Sequence, residues 1–137
     1  MPIASGSISA NALILATALF IFKQLVADYF LQTTWMALGK EKPKGWLPPL
    51  VAHVSVHAAC TLTICLTLSP ALFWLALVDF VIHGTIDRSK SLMQLRLQLS
   101  PNQGKYWWLL GSDQTLHHLT HLAFAVAIAS SVMTPAL

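Results

Sequence analysis

Four apolar stretches, at about residues 11–36, 50–68, 71–88 and 107–133, take up most of the chain. Each is close to the roughly 20 residues that a helix needs to cross a bilayer. Charged residues make up only 9% of the 137 positions, against about 25% in a soluble domain, and they fall in clusters. A water-soluble fold built from such stretches would expose bare hydrocarbon. The expected fold is all-α: a membrane-spanning four-helix bundle forming a single integral membrane domain over residues 1–137.

Each stretch has its own boundary signals. Gly39 and a Lys-Glu-Lys-Pro-Lys-Gly loop close the first, and Pro48 and Pro49 open the second, where a missing amide is harmless. Ser69-Pro70 breaks the chain between the second and third, which predicts an antiparallel hairpin. The third ends at Asp87-Arg88-Ser89-Lys90, and Ser100 to Gly104 leads irregularly into the fourth. Ser91 to Leu99 reads equally well as a short interfacial helix or an extended segment. No basic residue precedes the first stretch, as a cleavable signal peptide would require, so that stretch reads as a retained span.

Every basic residue except Lys23 lies in the first or third connection or at its edge. By the positive-inside rule these connections face the cytoplasm and both termini face outward. Trp35, Trp46, Trp107 and Trp108 gather at the same level, as amphipathic rings do at a membrane interface. The formal charge of +3 therefore points to lipid headgroups as the partner, and no nucleic-acid module is visible.

Against this apolar background the histidines and aspartates stand out. An aspartate at the centre of a membrane helix costs about 2.5–3.5 kcal/mol on insertion scales, so it is expected to face a cavity or a partner. The second stretch carries His53 and His57, the third Asp79, His83 and Asp87, and the fourth Asp113, His117 and His121. The first carries Gln24, Asp28 and Gln32 in the same four-residue step. Residues four apart share one helical face, so each helix turns a polar stripe toward the others. Counting about 1.5 Å per residue from the cytoplasmic ends brings most of these groups into one layer.

Imidazole and carboxylate together suit zinc, iron or manganese, and bundles assemble metal sites from such pairs on facing helices. The expected ligands are His53, His57, His83, Asp87, Asp113 and His117, with zinc favoured over iron or manganese. Six donors exceed the usual four of one zinc, so either two ions bind or some of these residues orient the others. Asp28 is the candidate general base or a further ligand. Gln32 and Gln114 flank the stripe and His121 lies on its face but deeper, while Lys40, Arg88 and Lys90 stand at its mouth, where they would hold an anionic headgroup. Asp79 lies deeper, level with Lys23, and an ion pair would spare both from meeting hydrocarbon alone. His118 points about 100° away from His117 and reads as a packing or interfacial residue. Histidines four apart on one helix cannot ligate opposite faces of one haem, so no haem is expected.

Ala27-Asp28-Tyr29-Phe30-Leu31-Gln32, Lys40, His53 with His57, His83 with Asp87, Lys90, and Asp113-Gln114 with His117 together resemble a family of small bacterial inner-membrane proteins. That family is known as a domain of unknown function. The resemblance covers nearly the whole chain and implies a multi-pass fold in the bacterial inner membrane, without supplying an activity. A looser likeness, to membrane proteins labelled metal-dependent hydrolases, rests on His and Asp placed in short membrane helices.

The leading functional expectation is a metal-dependent hydrolase acting on a lipid or lipid-linked ester or phosphoester from the cytoplasmic leaflet. A proton or divalent-metal transporter or channel subunit is the second reading, and a non-haem di-iron oxidase the third. A bundle this small has room to form a homodimer, with Gly84 as the point of close helix approach.

Overall fold

The computed structural model describes residues 8–132. Five α-helices appear among them, α1 (Ala10–Leu25), α2 (Thr34–Gly39), α3 (Leu47–Leu68), α4 (Leu75–Arg96) and α5 (Gly104–Ser131), with no strand. The four long helices pack together: α3 lies against α4 and α1, and α5 against α1 and α4. The chain ends, which the basic-loop pattern assigns to the outer side, lie outside the described residues.

The first apolar stretch is not one continuous helix. A π-helical turn, Val26–Phe30, follows α1, and the chain then breaks before α2. Local polar bonding accounts for this. The Gln24 amide donates to the Asp28 carboxylate at 2.6 Å, and the Gln32 amide reaches back to the Asp28 carbonyl at 2.9 Å. Thr33 restarts the helix, its hydroxyl accepting from the Met36 amide at 3.3 Å. A π turn inserts one residue into the helical ladder, which swings everything after it by about 100°.

Past Ser69, which ends α3, a single 3-10 turn at Pro70–Leu72 makes the hairpin to α4. Helix α4 runs to Arg96 and so takes in most of the segment that reads ambiguously from sequence; it stops at Gln98, whose φ of 50° is left-handed.

The interior is divided along the bundle. At the hairpin end Ala16, Phe20, Ile64, Cys65, Leu75, Phe124, Ala125 and Ile128 form an apolar core. Toward the other end, beside Ala27, Leu50 and Val54, the buried residues are mostly polar and include Lys23, Gln24, His53, His57, Thr61, Asp79, His83, Asp87, Asp113, His117 and His121. The outside is the reverse, with Phe22, Leu66, Leu77 and Leu119 all exposed. Among the described residues two helices, Ala10–Phe30 and Leu47–Leu68, are long and apolar enough to cross a membrane. Helices α4 and α5 carry the denser histidine and carboxylate stripes, which dilute their hydropathy.

Gly39 and Gly84 separate two roles for a glycine. A Cβ on Gly39 would lie 2.6 Å from Pro49 Cγ, a ring that cannot rotate away, so Gly39 is what lets α2 seat on α3. A Cβ on Gly84 would meet only Val54 Cγ1, at an ordinary 3.6 Å. Gly39→Ala should therefore lose about 1–3 kcal/mol to overpacking. Gly84→Ala should be neutral or gain up to about 1 kcal/mol from helix propensity. Thermal unfolding of both variants in detergent checks the contrast, and equal melting temperatures would refute it.

Candidate metal centre

Helix α3 presents His53 and His57, α4 presents Asp79, His83 and Asp87, and α5 presents Asp113, His117 and His121, each helix using its four-residue step to stack the groups on one inner face. Asp28 comes from the π turn and Lys23 from the last turn of α1. All six metal ligands expected from sequence are buried, and His53, His57 and His83 are the most enclosed, at 1%, 0% and 1% exposure.

His83 is the hub. Its ring centroid lies 3.8 Å from that of His57 and 4.0 Å from that of His117, with His53 at 5.3 Å. On one side Asp28 Oδ1 is 3.0 Å from His57 Nε2 and 3.5 Å from His53 Nε2. On the other, Asp87 Oδ1 is 3.1 Å from His117 Nε2 and 3.9 Å from His83 Nε2, while Asp87 Oδ2 is 3.4 Å from His53 Nε2. Asp113 Oδ1 approaches through His117 alone, at 3.5 Å from its Nε2.

A deeper tier lies toward the apolar core. Lys23 Nζ donates to Asp79 Oδ2 at 2.6 Å and lies 2.9 Å from His121 Nε2. The Thr61 hydroxyl donates to the same Asp79 oxygen at 2.6 Å. The Lys23–Asp79 pair read from their common depth is thus present. Thr61 escapes a search for histidines and acids, yet it continues the α3 stripe four residues after His57.

At the opposite end a cleft of about 190 Å³ opens onto the upper tier, lined among others by Asp28, Gln32, Lys40, Asp113, Gln114 and His117. The basic residues expected to greet a headgroup there are mostly engaged. Lys40 Nζ bonds Asp87 Oδ2 at 2.6 Å, and Lys90 bonds Glu41. Burial alone would lower the Lys90 ammonium, but the hydrogen bond and charge of Glu41 outweigh it and hold its pKa above the ordinary lysine value. Arg88 does not line the cleft. It follows Asp87 on α4 and so points away, stacking on Trp46 at 4.1 Å and donating to the Lys42 carbonyl at 3.1 Å. His118 is exposed on the outer face of α5.

The donor set fits a cation by two measures. Ligand atoms about 2.1 Å from a tetrahedral ion stand about 3.4 Å from one another, and the shorter nitrogen–oxygen separations in the upper tier run from 3.0 to 3.5 Å. Both ring nitrogens of His53 and of His83 are buried without a hydrogen-bond partner. Each unsatisfied buried polar atom costs about 1–3 kcal/mol, which coordination would relieve. Among the described residues three groups hold ligand atoms within 4.8 Å of one another: Asp28 with His53, His57 and His83; His83 with Asp87 and His117; and Asp79 with His83 and His121. Asp113 belongs to none of them.

A helical bundle whose interior is a histidine–aspartate cluster able to hold a metal ion is the class that fold and site define. The chain belongs to the family described as "Protein of unknown function (DUF3307)", whose model matches residues 15–136. No curated protein and no solved structure matches it.

The Thr61 hydroxyl is the neutral support of the deep tier. Thr61→Val keeps the volume and removes a hydrogen bond to a charged acceptor, worth about 1.5–3 kcal/mol. Its melting temperature in detergent should fall accordingly, and Thr61→Ser should recover most of the loss. A Thr61→Val chain as stable as the native one would show that Asp79 does not depend on this donor.

Proposed function

We propose that this protein is a multi-pass membrane metallohydrolase, with all four long helices crossing the bilayer and the cleft at the cytoplasmic headgroup level. The membrane reading is supported by the reversed distribution of residues, apolar outside and polar within, and by the basic residues gathered at the cleft end. The metal reading is carried by one observation: His83, almost wholly enclosed, has no partner for either ring nitrogen while lying among imidazoles and carboxylates at coordination spacing.

His53, His57, His83, Asp28, Asp87 and His117, in two groups that share His83, would hold one or two ions, with zinc favoured by the imidazole-rich set. A divalent cation there would acidify a bound water and polarise a scissile ester or phosphoester. The remaining work belongs to the chain itself. Asp87 is fixed by Lys40 and presents its other oxygen toward His117. Asp28 is tied to Gln24 and His57, which makes it a ligand better than a base. Asp113 suits the base's role, because it lines the cleft and its Oδ1 is free of hydrogen bonds. Gln114, bonded to the other Asp113 oxygen at 3.2 Å, would orient it. A lipid or lipid-linked substrate would reach the cleft from the surrounding leaflet.

A channel or transporter would want polar groups through the whole thickness, and the apolar core from Ala16 to Ile128 closes the far half of the bundle. A di-iron oxidase uses the same donors and is separated by the element bound, since zinc has no redox chemistry.

Element analysis of detergent-purified protein tests the centre. Native protein should carry stoichiometric metal, with at least about a tenfold loss in His83→Ala and Asp87→Asn. With the metal present, hydrolysis of p-nitrophenyl butyrate or bis(p-nitrophenyl) phosphate should fall sharply in Asp113→Asn, which should keep its metal. Folded native protein that takes up neither zinc, iron nor manganese would sink the proposal.

A further inference from the structure

We infer that the Lys23 ammonium is a built-in cation occupying a second metal-holding position, formed by Asp79, His83 and His121, so that exchangeable metal is confined to the cleft side of His83. The inference extends the metal reading of the upper tier but does not require it.

The deep group has the same coordination spacing as the upper ones. Asp79 Oδ1 and His121 Nε2 are 3.5 Å apart, the separation also found for His53 and Asp28. In chemistry the deep trio of one carboxylate and two imidazoles matches the trio His83, Asp87 and His117. What differs is the lysine. Lys40 meets Asp87 from the cleft and leaves His117 to its carboxylates. Lys23 instead takes the Asp79 carboxylate and the His121 ring nitrogen at once, at 2.6 and 2.9 Å.

Those contacts exclude a metal ion. A neutral imidazole has one acceptor nitrogen, and here His121 Nε2 faces the ammonium while Nδ1 has no partner. A dication about 2.0–2.2 Å from Asp79 Oδ1 and His121 Nε2 would need the lone pair that faces Lys23 and would place two cations side by side on one carboxylate. Lys23 is only 3% exposed, and Phe20 and Phe124 pack against the His121 side of the tier, so the ammonium has no aqueous refuge to withdraw into. Lys23 thus supplies, from the chain itself, the positive charge that a second ion would otherwise bring to the far side of His83.

Replacing the ammonium by an uncharged chain of similar length should unmask the position. Native protein, Lys23→Met and the double variant Lys23→Met/Asp79→Asn would be saturated with zinc in detergent, desalted and counted for zinc per chain, with thermal unfolding followed with and without the metal. Lys23→Met should bind one zinc more than the native chain, and the double variant should lose that gain. If Lys23→Met folds only with zinc present, and the double variant gains no such dependence, the inference is equally supported. A Lys23→Met chain that zinc neither loads beyond the native level nor stabilises beyond the double variant overturns it, whether or not that chain folds. Native protein without zinc beside a Lys23→Met chain holding one would sustain this inference while removing the cleft-side site. Metal in the native chain with no gain on substitution would do the opposite.

Discussion

A carboxylate enclosed by helices is stable only in the company of a cation or several donors, and that requirement organises this bundle. Asp79 has Lys23 and Thr61, and Asp87 has Lys40. Asp28 has the Gln24 amide and His57, with no lysine bonded to it. Each partner comes from a different helix from its acid, except Gln24, so satisfying the charges also docks α1, α2, α3 and α4 onto one another. The penalty for leaving one of these acids alone in a low-dielectric interior is what makes the arrangement specific.

The apolar residues do a different job. At the hairpin end Phe20, Ile64, Leu75, Phe124 and Ile128 fill the interior in the ordinary way, and they close the polar tiers from that side. The cleft lies at the other end, where the π turn and the short α2 leave α1 unable to cover the site. One continuous helix over the first apolar stretch would have carried Asp28 and Gln32 along a fixed line. The break instead places Asp28 beside His57 and lets α2 bring Lys40 to Asp87.

Much of the site was legible as spacing. The four-residue steps in three helices announce an inner polar face without any knowledge of packing, and the common depth of Lys23 and Asp79 suggests their pairing. Three features were not legible. The π turn arises from side chain and backbone bonding around Asp28 that no periodicity reveals. Glu41 is an inconspicuous loop acid until the fold sets it against Lys90. Arg88 shares a basic cluster with Lys90, yet one step along α4 turns it to Trp46 and out of the cleft.

By itself the sequence determined the helical class, the inward direction of the histidines and aspartates, and the family to which the chain belongs, because hydropathy and helical period are local properties. Only the tertiary structure decided which acid meets which cation. It set Lys23 against His121 and Lys40 against Asp87, and it left His83 at the hub without a partner, because those choices depend on helix rotation and on the broken first helix. Rotation about a helix axis is fixed by contacts among all the neighbours at once, and no single segment carries that information.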